Sequence, residues 1–154
     1  MELRLREATI EDLQLVFEWA NDDDVRHNSF NQEKIPFENH VKWFERRIEL
    51  MNTTKESYIF ILLADEKAAG QVRIDSENAE AEISYLIAKD YRGNGLAKKM
   101  LLLLEEEKIL EILKIKKLTA KVKEENLASA KVFKALNYEL VKSENNILSF
   151  EKSL

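Results

Sequence analysis

Two rhythms of apolar residues run along this chain of 154 residues. Leu3, Leu5 and Ala8 alternate loosely with Glu2, Arg4 and Arg6, which predicts a first strand. Thr9 with Asp12 three positions on is a variant of the capping box, and Leu13, Val16, Phe17 and Ala20 then recur at helical spacing. A helix is therefore expected over Glu11–Ala20, ended by Asn21-Asp22-Asp23-Asp24. Val25–Lys34 has no period and is rich in Asn, His and Ser. Pro36 can open the next helix, whose stripe is Phe37, Val41, Phe44, Ile48 and Met51.

The middle of the chain changes period. Ser57–Ala64 is an apolar run, and Ala68–Asp75 sets Val72 and Ile74 on one face and Gln71, Arg73 and Asp75 on the other. Ala79–Ile87 follows after a short turn, so three consecutive strands form an antiparallel meander. Next come a turn with two glycines, one long helix from Leu96 to about Lys114, a strand over Leu118–Lys123 and a helix over Leu127–Leu136. Strands near Tyr138–Lys142 and Ile147–Glu151 close the chain. The order contains one strand–helix–strand crossover, hence one parallel pair within a mostly antiparallel sheet. No repeat or linker divides it, so residues 1–154 read as one domain.

Composition narrows the function classes. The chain is 45% hydrophobic and 34% charged, an ordinary globular balance, with a net charge of −5 that disfavours nucleic acid as a partner. The absence of cysteine excludes disulfides, thiolate metal sites and a cysteine nucleophile. No apolar stretch is long enough to span a bilayer, and the first residues lack the layout of a signal peptide, so a cytoplasmic location away from the membrane is expected. His27 and His40 have no obvious third ligand, so no metal site is expected. Whether the chain forms a homodimer stays open.

The most informative segment is Ala88-Lys89-Asp90-Tyr91-Arg92-Gly93-Asn94-Gly95-Leu96-Ala97, which holds two of the three glycines. A strand that turns through glycines into a helix points several N–H groups at one place, where the helix dipole adds positive potential. Such a site binds a phosphate or pyrophosphate. Neither the P-loop nor the Rossmann spacing is present, and no Gly-x-Ser-x-Gly elbow suggests a hydrolase.

Arg92-x-x-Gly95-x-Ala97 resembles the Arg/Gln-x-x-Gly-x-Gly/Ala signature of the GNAT N-acetyltransferases. The later block Val122–Tyr138 resembles that family's closing motif, with Asn126 after a strand and Asn137-Tyr138 where the family has Gly-Phe. Asn substitutes for Gly in a left-handed helix cap, so the backbone logic survives. The order of elements also matches. The resemblance implies an α/β fold with a mixed, mostly antiparallel sheet of about seven strands, a splayed parallel pair (fourth and fifth strands) and about four helices. It implies an acetyl-CoA-dependent transfer of acetyl to a primary amine. Leu86, Ile87 and Ala88 would offer backbone groups to the pantetheine, and Arg92, Gly93, Asn94, Gly95, Leu96 and Ala97 would hold the pyrophosphate. Asn126 and Lys131 match further cofactor positions, although Asn126 is equally a helix N-cap.

An amine near the pKa of lysine is mostly protonated at neutral pH, so a base is needed, and the family's carboxylate falls on Glu82. The plain structural reading of Glu82 is an edge residue paired with Arg73. The tyrosine with which many members protonate the departing thiolate aligns with Phe133, leaving either Tyr85, Tyr91 or Tyr138 as substitutes, of which Tyr85 is preferred, or a thiolate that leaves unassisted and takes a solvent proton. Arg26, His27, Asn28, Ser29, Phe30 and Asn31 lie where the family places its acceptor. The block Glu18–Phe44 is similar to acetyltransferases of nucleotide-linked amino sugars of the pseudaminic and nonulosonic type, which makes a sugar nucleotide the expected small-molecule acceptor. Two alternatives remain: an N-terminal protein acetyltransferase of the ribosomal-protein type, and a non-catalytic acyl-CoA-binding module.

Overall fold

In a computed structural model describing residues 1–154, β1 (Leu3–Glu7), β2 (Ser57–Ala64), β3 (Lys67–Glu77) and β4 (Glu80–Ile87) pair antiparallel in sequence order. β5 (Lys117–Lys123), β6 (Glu139–Glu144) and β7 (Ile147–Ser153) complete a seven-stranded sheet in the order β1-β2-β3-β4-β5-β7-β6. β4 and β5 form its parallel pair, as the single crossover predicted. That pairing extends only over Glu80–Glu82 against Lys117–Thr119. Beyond it the two strands part, and the later half of β4 has no neighbour on that side.

β2 is buried along its whole length because both sheet faces are covered there. Tyr58, Phe60, Leu62 and Ala64 join a large core with α4 (Leu96–Glu105), α5 (Lys108–Ile112) and α6 (Leu127–Ala135). Ile59, Ile61 and Leu63 point the other way, into a small cluster with Ala8, Val16 of α1 (Leu13–Ala20) and Phe44 of α3 (Phe37–Asn52). The predicted capping box forms: Thr9 Oγ1 accepts from Glu11 N–H, and Asp12 accepts from Thr9 N–H at 2.8 Å. Burial alone would raise the Asp12 pKa, but the Arg6 guanidinium at 2.8 Å and the Thr9 N–H hold it below the ordinary carboxylate range.

Three boundaries differ from the sequence reading. The first helix begins as a 3-10 turn over Ile10–Asp12 and becomes α-helical only at Leu13. The stretch read as irregular contains α2 (Asp23–His27), because Asp22 caps it by accepting from the N–H groups of Asp24 and Val25. The helix from Leu96 breaks after Glu105 and restarts at Lys108. Three successive carboxylates, Glu105 to Glu107, oppose the negative end of a helix dipole, and the break lets Ile109 and Leu110 turn into the core. The left-handed cap at Asn137 is present, with φ of 69° and Tyr138 N–H donating to Phe133 C=O at 3.0 Å.

Candidate active site

The parting of β4 and β5 opens a groove of about 1030 Å³ that passes between the two faces of the sheet. Within antiparallel pairs, successive residues point their backbone groups to opposite sides. Ala88 N–H donates to Ala69 C=O at 2.8 Å, so the N–H and C=O of Leu86 also face β3. A Cβ built on Gly70 would lie 2.6 Å from Leu86 O, which confirms that direction and leaves only glycine at that crossing. The groups facing the open edge are therefore those of Ile83, Tyr85 and Ile87. Of the three backbone positions expected to meet a pantetheine, Ile87 is so placed, while Leu86 and Ala88 are committed to β3.

At the end of β4 the chain enters a 3-10 turn, Lys89–Tyr91, and then the glycines. Gly93 and Gly95 have φ of 79° and 70°, in the left-handed region that side chains disfavour. A Cβ at Gly95 would meet nothing within 4 Å, so the ground before α4 is open. α4 has no side-chain cap, and its first N–H groups face that space. Gly93, Gly95, Leu96 and Ala97 line the groove. This fits an anionic pyrophosphate. Asn94 instead holds the turn, its Nδ2 donating to Tyr91 O and Arg92 O at 3.1 and 3.2 Å.

Arg92 has another task than the expected phosphate contact. Its Nε donates to Ile87 O at 2.9 Å, and its two Nη atoms lie 3.0 Å from Asp22 and Asp24 carboxylates. The guanidinium thus ties the glycine turn to α2. Burial alone would raise the Asp22 pKa, but Arg92 and the N–H groups of Val25 and Asp24 outweigh it and hold the carboxyl low. Asn126 lines the groove and caps α6, accepting from Ser129 N–H at 3.3 Å, whereas Lys131 is exposed and outside the groove.

Tyr85 points to the α6 side. Its hydroxyl is 2.9 Å from Ser129 Oγ, and its ring meets Phe133 edge-on at 5.9 Å between centroids. Burial pushes the phenol above its ordinary pKa, with the Ser129 hydrogen bond opposing, so it stays protonated at neutral pH. Phe133 is a core residue, stacked on Phe150 at 5.6 Å. Tyr138 is buried on the far side beneath Lys152 and does not line the groove. Tyr91 does line it but carries no hydroxyl contact. Tyr85 is therefore the tyrosine placed against the groove wall where Phe133 offers no proton.

Glu82 lies on the opposite face, across from Asp75 on β3. It is exposed, and the expected pairing with Arg73 is absent because Asp75 takes Arg73 Nε at 3.0 Å and also binds Arg47. It does not line the groove; Ser84, two residues on along the same face, does.

The acceptor stretch is only partly as expected. Asn28, Ser29 and Phe30 line the groove, with Phe30 58% exposed. Arg26 lines it but is already engaged: its guanidinium donates to Ala20 O, Asn31 O, Glu33 O and Ser29 Oγ at 2.7 to 3.3 Å. Burial lowers its pKa, and its work is to fold the loop rather than to grip a diphosphate. His27 is exposed beside Glu125 at 3.8 Å, and Asn31 Oδ1 accepts from Glu33 N–H; neither lines the groove. The sequence reading missed Gln71, Arg73 and Ser84, which line the groove together with His40 and Trp43. Two guanidiniums lie over the Trp43 ring, Arg47 at 5.5 Å and Arg73 at 5.3 Å from its centroid. The available signal was the row Gln71, Arg73, Asp75 in an otherwise apolar meander. No group of three or more His, Cys, Asp or Glu side chains is arranged to hold a metal ion.

The sequence matches the family described as acetyltransferase (GNAT) domain over residues 2–139. No curated protein matches the chain in sequence. Among solved structures, a domain from Methanocaldococcus jannaschii is 23% identical, with 99% of each chain covered and a TM-score of 0.85. Spermidine N-acetyltransferase from Vibrio cholerae, in complex with CoA and spermine, is 16% identical over 98% of this chain and 95% of that one, with a TM-score of 0.83. A ribosomal L7/L12 α-N-protein acetyltransferase in complex with coenzyme A is 16% identical over 99% and 94%, with a TM-score of 0.82. The family match spans nearly the whole chain, including the splayed strands and the glycine turn; the chain belongs to the GNAT acetyltransferase family and is an N-acetyltransferase that uses acetyl-CoA.

Proposed function

We propose that the acceptor is the primary amine of a nucleotide-linked amino sugar. The observation that carries this reading is the lining of the groove on the α1–α3 face. Phe30 and Trp43 supply aromatic surface, Asn28, Asn39, Gln71 and Ser84 supply neutral polar groups, and Arg73, which shares the single Asp75 carboxylate with Arg47, leaves an excess of positive charge. The single carboxylate in the lining is Asp24, which Arg92 already holds. A polyamine needs unpaired carboxylates, and this wall has none. A hydroxyl-rich acceptor with an aromatic base and an anionic group matches it.

Acetyl-CoA supplies an acetyl group already activated as a thioester. The chain's own residues then do three things. The N–H groups at the start of α4 hold the pyrophosphate, the Tyr85 hydroxyl donates a hydrogen bond to the sulfur as it leaves, and Glu82 receives the amine proton through water along the Ser84 face.

The test is a thiol-release assay with acetyl-CoA against an amino-sugar nucleotide, spermidine and a peptide with a free N-terminal serine. Turnover of the sugar with little of the other two is expected. Acetylation of spermidine or the peptide without the sugar refutes the acceptor assignment. Glu82→Gln is expected to lower kcat/KM about ten- to hundredfold at pH 7, short of a directly contacting base because water intervenes. The deficit should narrow as pH rises and the amine loses its proton unaided. A pH–rate profile superimposable on wild type would remove Glu82 from the mechanism.

A further inference from the structure

Three buried side-chain polar atoms have no hydrogen-bond partner: Gln71 Oε1, Glu105 Oε1 and Tyr138 Oη. The last two lie beside the Lys152 ammonium, which is 2.6 Å from Glu105 and 5.6 Å from the Tyr138 ring centroid. Gln71 has no such neighbour. It is 8% exposed, its amide makes no hydrogen bond in the protein, and it lines the groove. Turning the amide over exchanges oxygen for nitrogen and leaves one polar atom unpaired either way. A buried polar group without a partner is destabilising, and a ligand in the groove that donates to it would offset that cost.

Placement narrows the use. Gln71 stands on β3 between Ile61 of β2 and Leu86 of β4, on the α1–α3 face, level with the open end of the splay. One rung away is Arg73 opposite Ser84. A second unfilled acceptor belongs to the same wall. His40 Nε2 lies 3.1 Å from Leu13 C=O, and a carbonyl oxygen only accepts, so Nε2 carries the hydrogen and Nδ1 is left with a free lone pair. This part of the groove therefore offers hydrogen-bond acceptors that lack donors. An amine is the complement, since in its ammonium form it carries donors only.

We propose that Gln71 is the residue that binds and positions the amine to be acetylated, its amide oxygen accepting a hydrogen bond from the amine N–H, with His40 Nδ1 as a second acceptor in the groove lining. The terminal torsion of glutamine is broad, so the amide can turn its oxygen to a donor in the groove. A neutral oxygen suits the chemistry better than a carboxylate. Glutamate at this position would favour the ammonium form and raise the amine pKa, whereas the amide, lacking a charge, holds the nitrogen with a much weaker preference for its protonated form. This inference rests on the chain being an amine acetyltransferase, not on the amine being a sugar.

The experiment uses whichever amine of the three-member panel the wild type acetylates, so a wrong sugar assignment leaves it intact. Gln71→Leu keeps the volume and removes the polar atoms. It should lower kcat/KM for that amine about ten- to hundredfold. CoA affinity and the melting temperature should be unchanged, or Tm raised. Gln71→Glu should lower the amine KM, lower kcat, and move the rising limb of the pH–rate profile upward. A Gln71→Leu protein with wild-type amine kinetics, or one whose Tm and CoA affinity fall together with its rate, overturns the proposal. So does a Gln71→Glu profile that does not move.

Discussion

Gly95→Asn is expected to weaken CoA binding about thirty- to hundredfold, the loss of 2–3 kcal/mol that ionic hydrogen bonds to a phosphate supply. The variant is chosen because Asn tolerates left-handed φ better than other side chains, and Gly95 has φ of 70°. Nothing in the protein lies within 4 Å of the added Cβ, so the side chain enters the open ground before α4 and meets only the ligand. The fold should survive with a small loss of Tm. Titration calorimetry with CoA measures the effect, and acetyl-pantetheine supplies the control. That donor lacks the pyrophosphate, so its turnover should be nearly the same in mutant and wild type. Equal loss for both donors would show that the turn shapes the groove generally rather than holding phosphate.

Tyr85→Phe is expected to lower kcat about ten- to hundredfold with CoA affinity retained. A thiol has an ordinary pKa near 8.5, so its anion can depart unaided, and the proposed part of the hydroxyl is to accelerate departure rather than to permit it. Tyr85 remains protonated because burial raises its pKa despite the Ser129 hydrogen bond. Ser129 Oγ, 2.9 Å away, fixes the direction of the hydroxyl, so Ser129→Ala should produce a smaller loss of the same kind. Steady-state kinetics at saturating acetyl-CoA separates the two. A Tyr85→Phe enzyme with undiminished kcat assigns the hydroxyl to packing against α6.

Much of this site was legible because backbone conformation carries it. Left-handed turns and a helix start are written in Gly93, Gly95 and Asn137, and the strand order follows from alternation and turn residues. The side-chain roles were less legible, because they depend on contacts distant in sequence. Arg92 is committed by Asp22 and Asp24, about seventy positions earlier, and Arg26 by carbonyls of its own loop. A motif arginine and a buried loop arginine look alike in a sequence when their partners are unknown. Gln71 was visible as one member of a polar face. Its lack of a partner emerges only once the neighbouring strands and helices are in place.

The unequal burial on the two sheet faces has a consequence in time. Twenty-five buried residues hold the face under α4, α5 and α6, and six hold the face under α1 and α3. Local opening is easiest where the fewest apolar contacts must be broken. Backbone amides of α1–α3 should accordingly exchange with deuterium through partial openings well before those of α4 and the central strands, which exchange only on global unfolding. The wall proposed to meet the acceptor is thus the one able to open and re-form, while the ground proposed for acetyl-CoA stays in register.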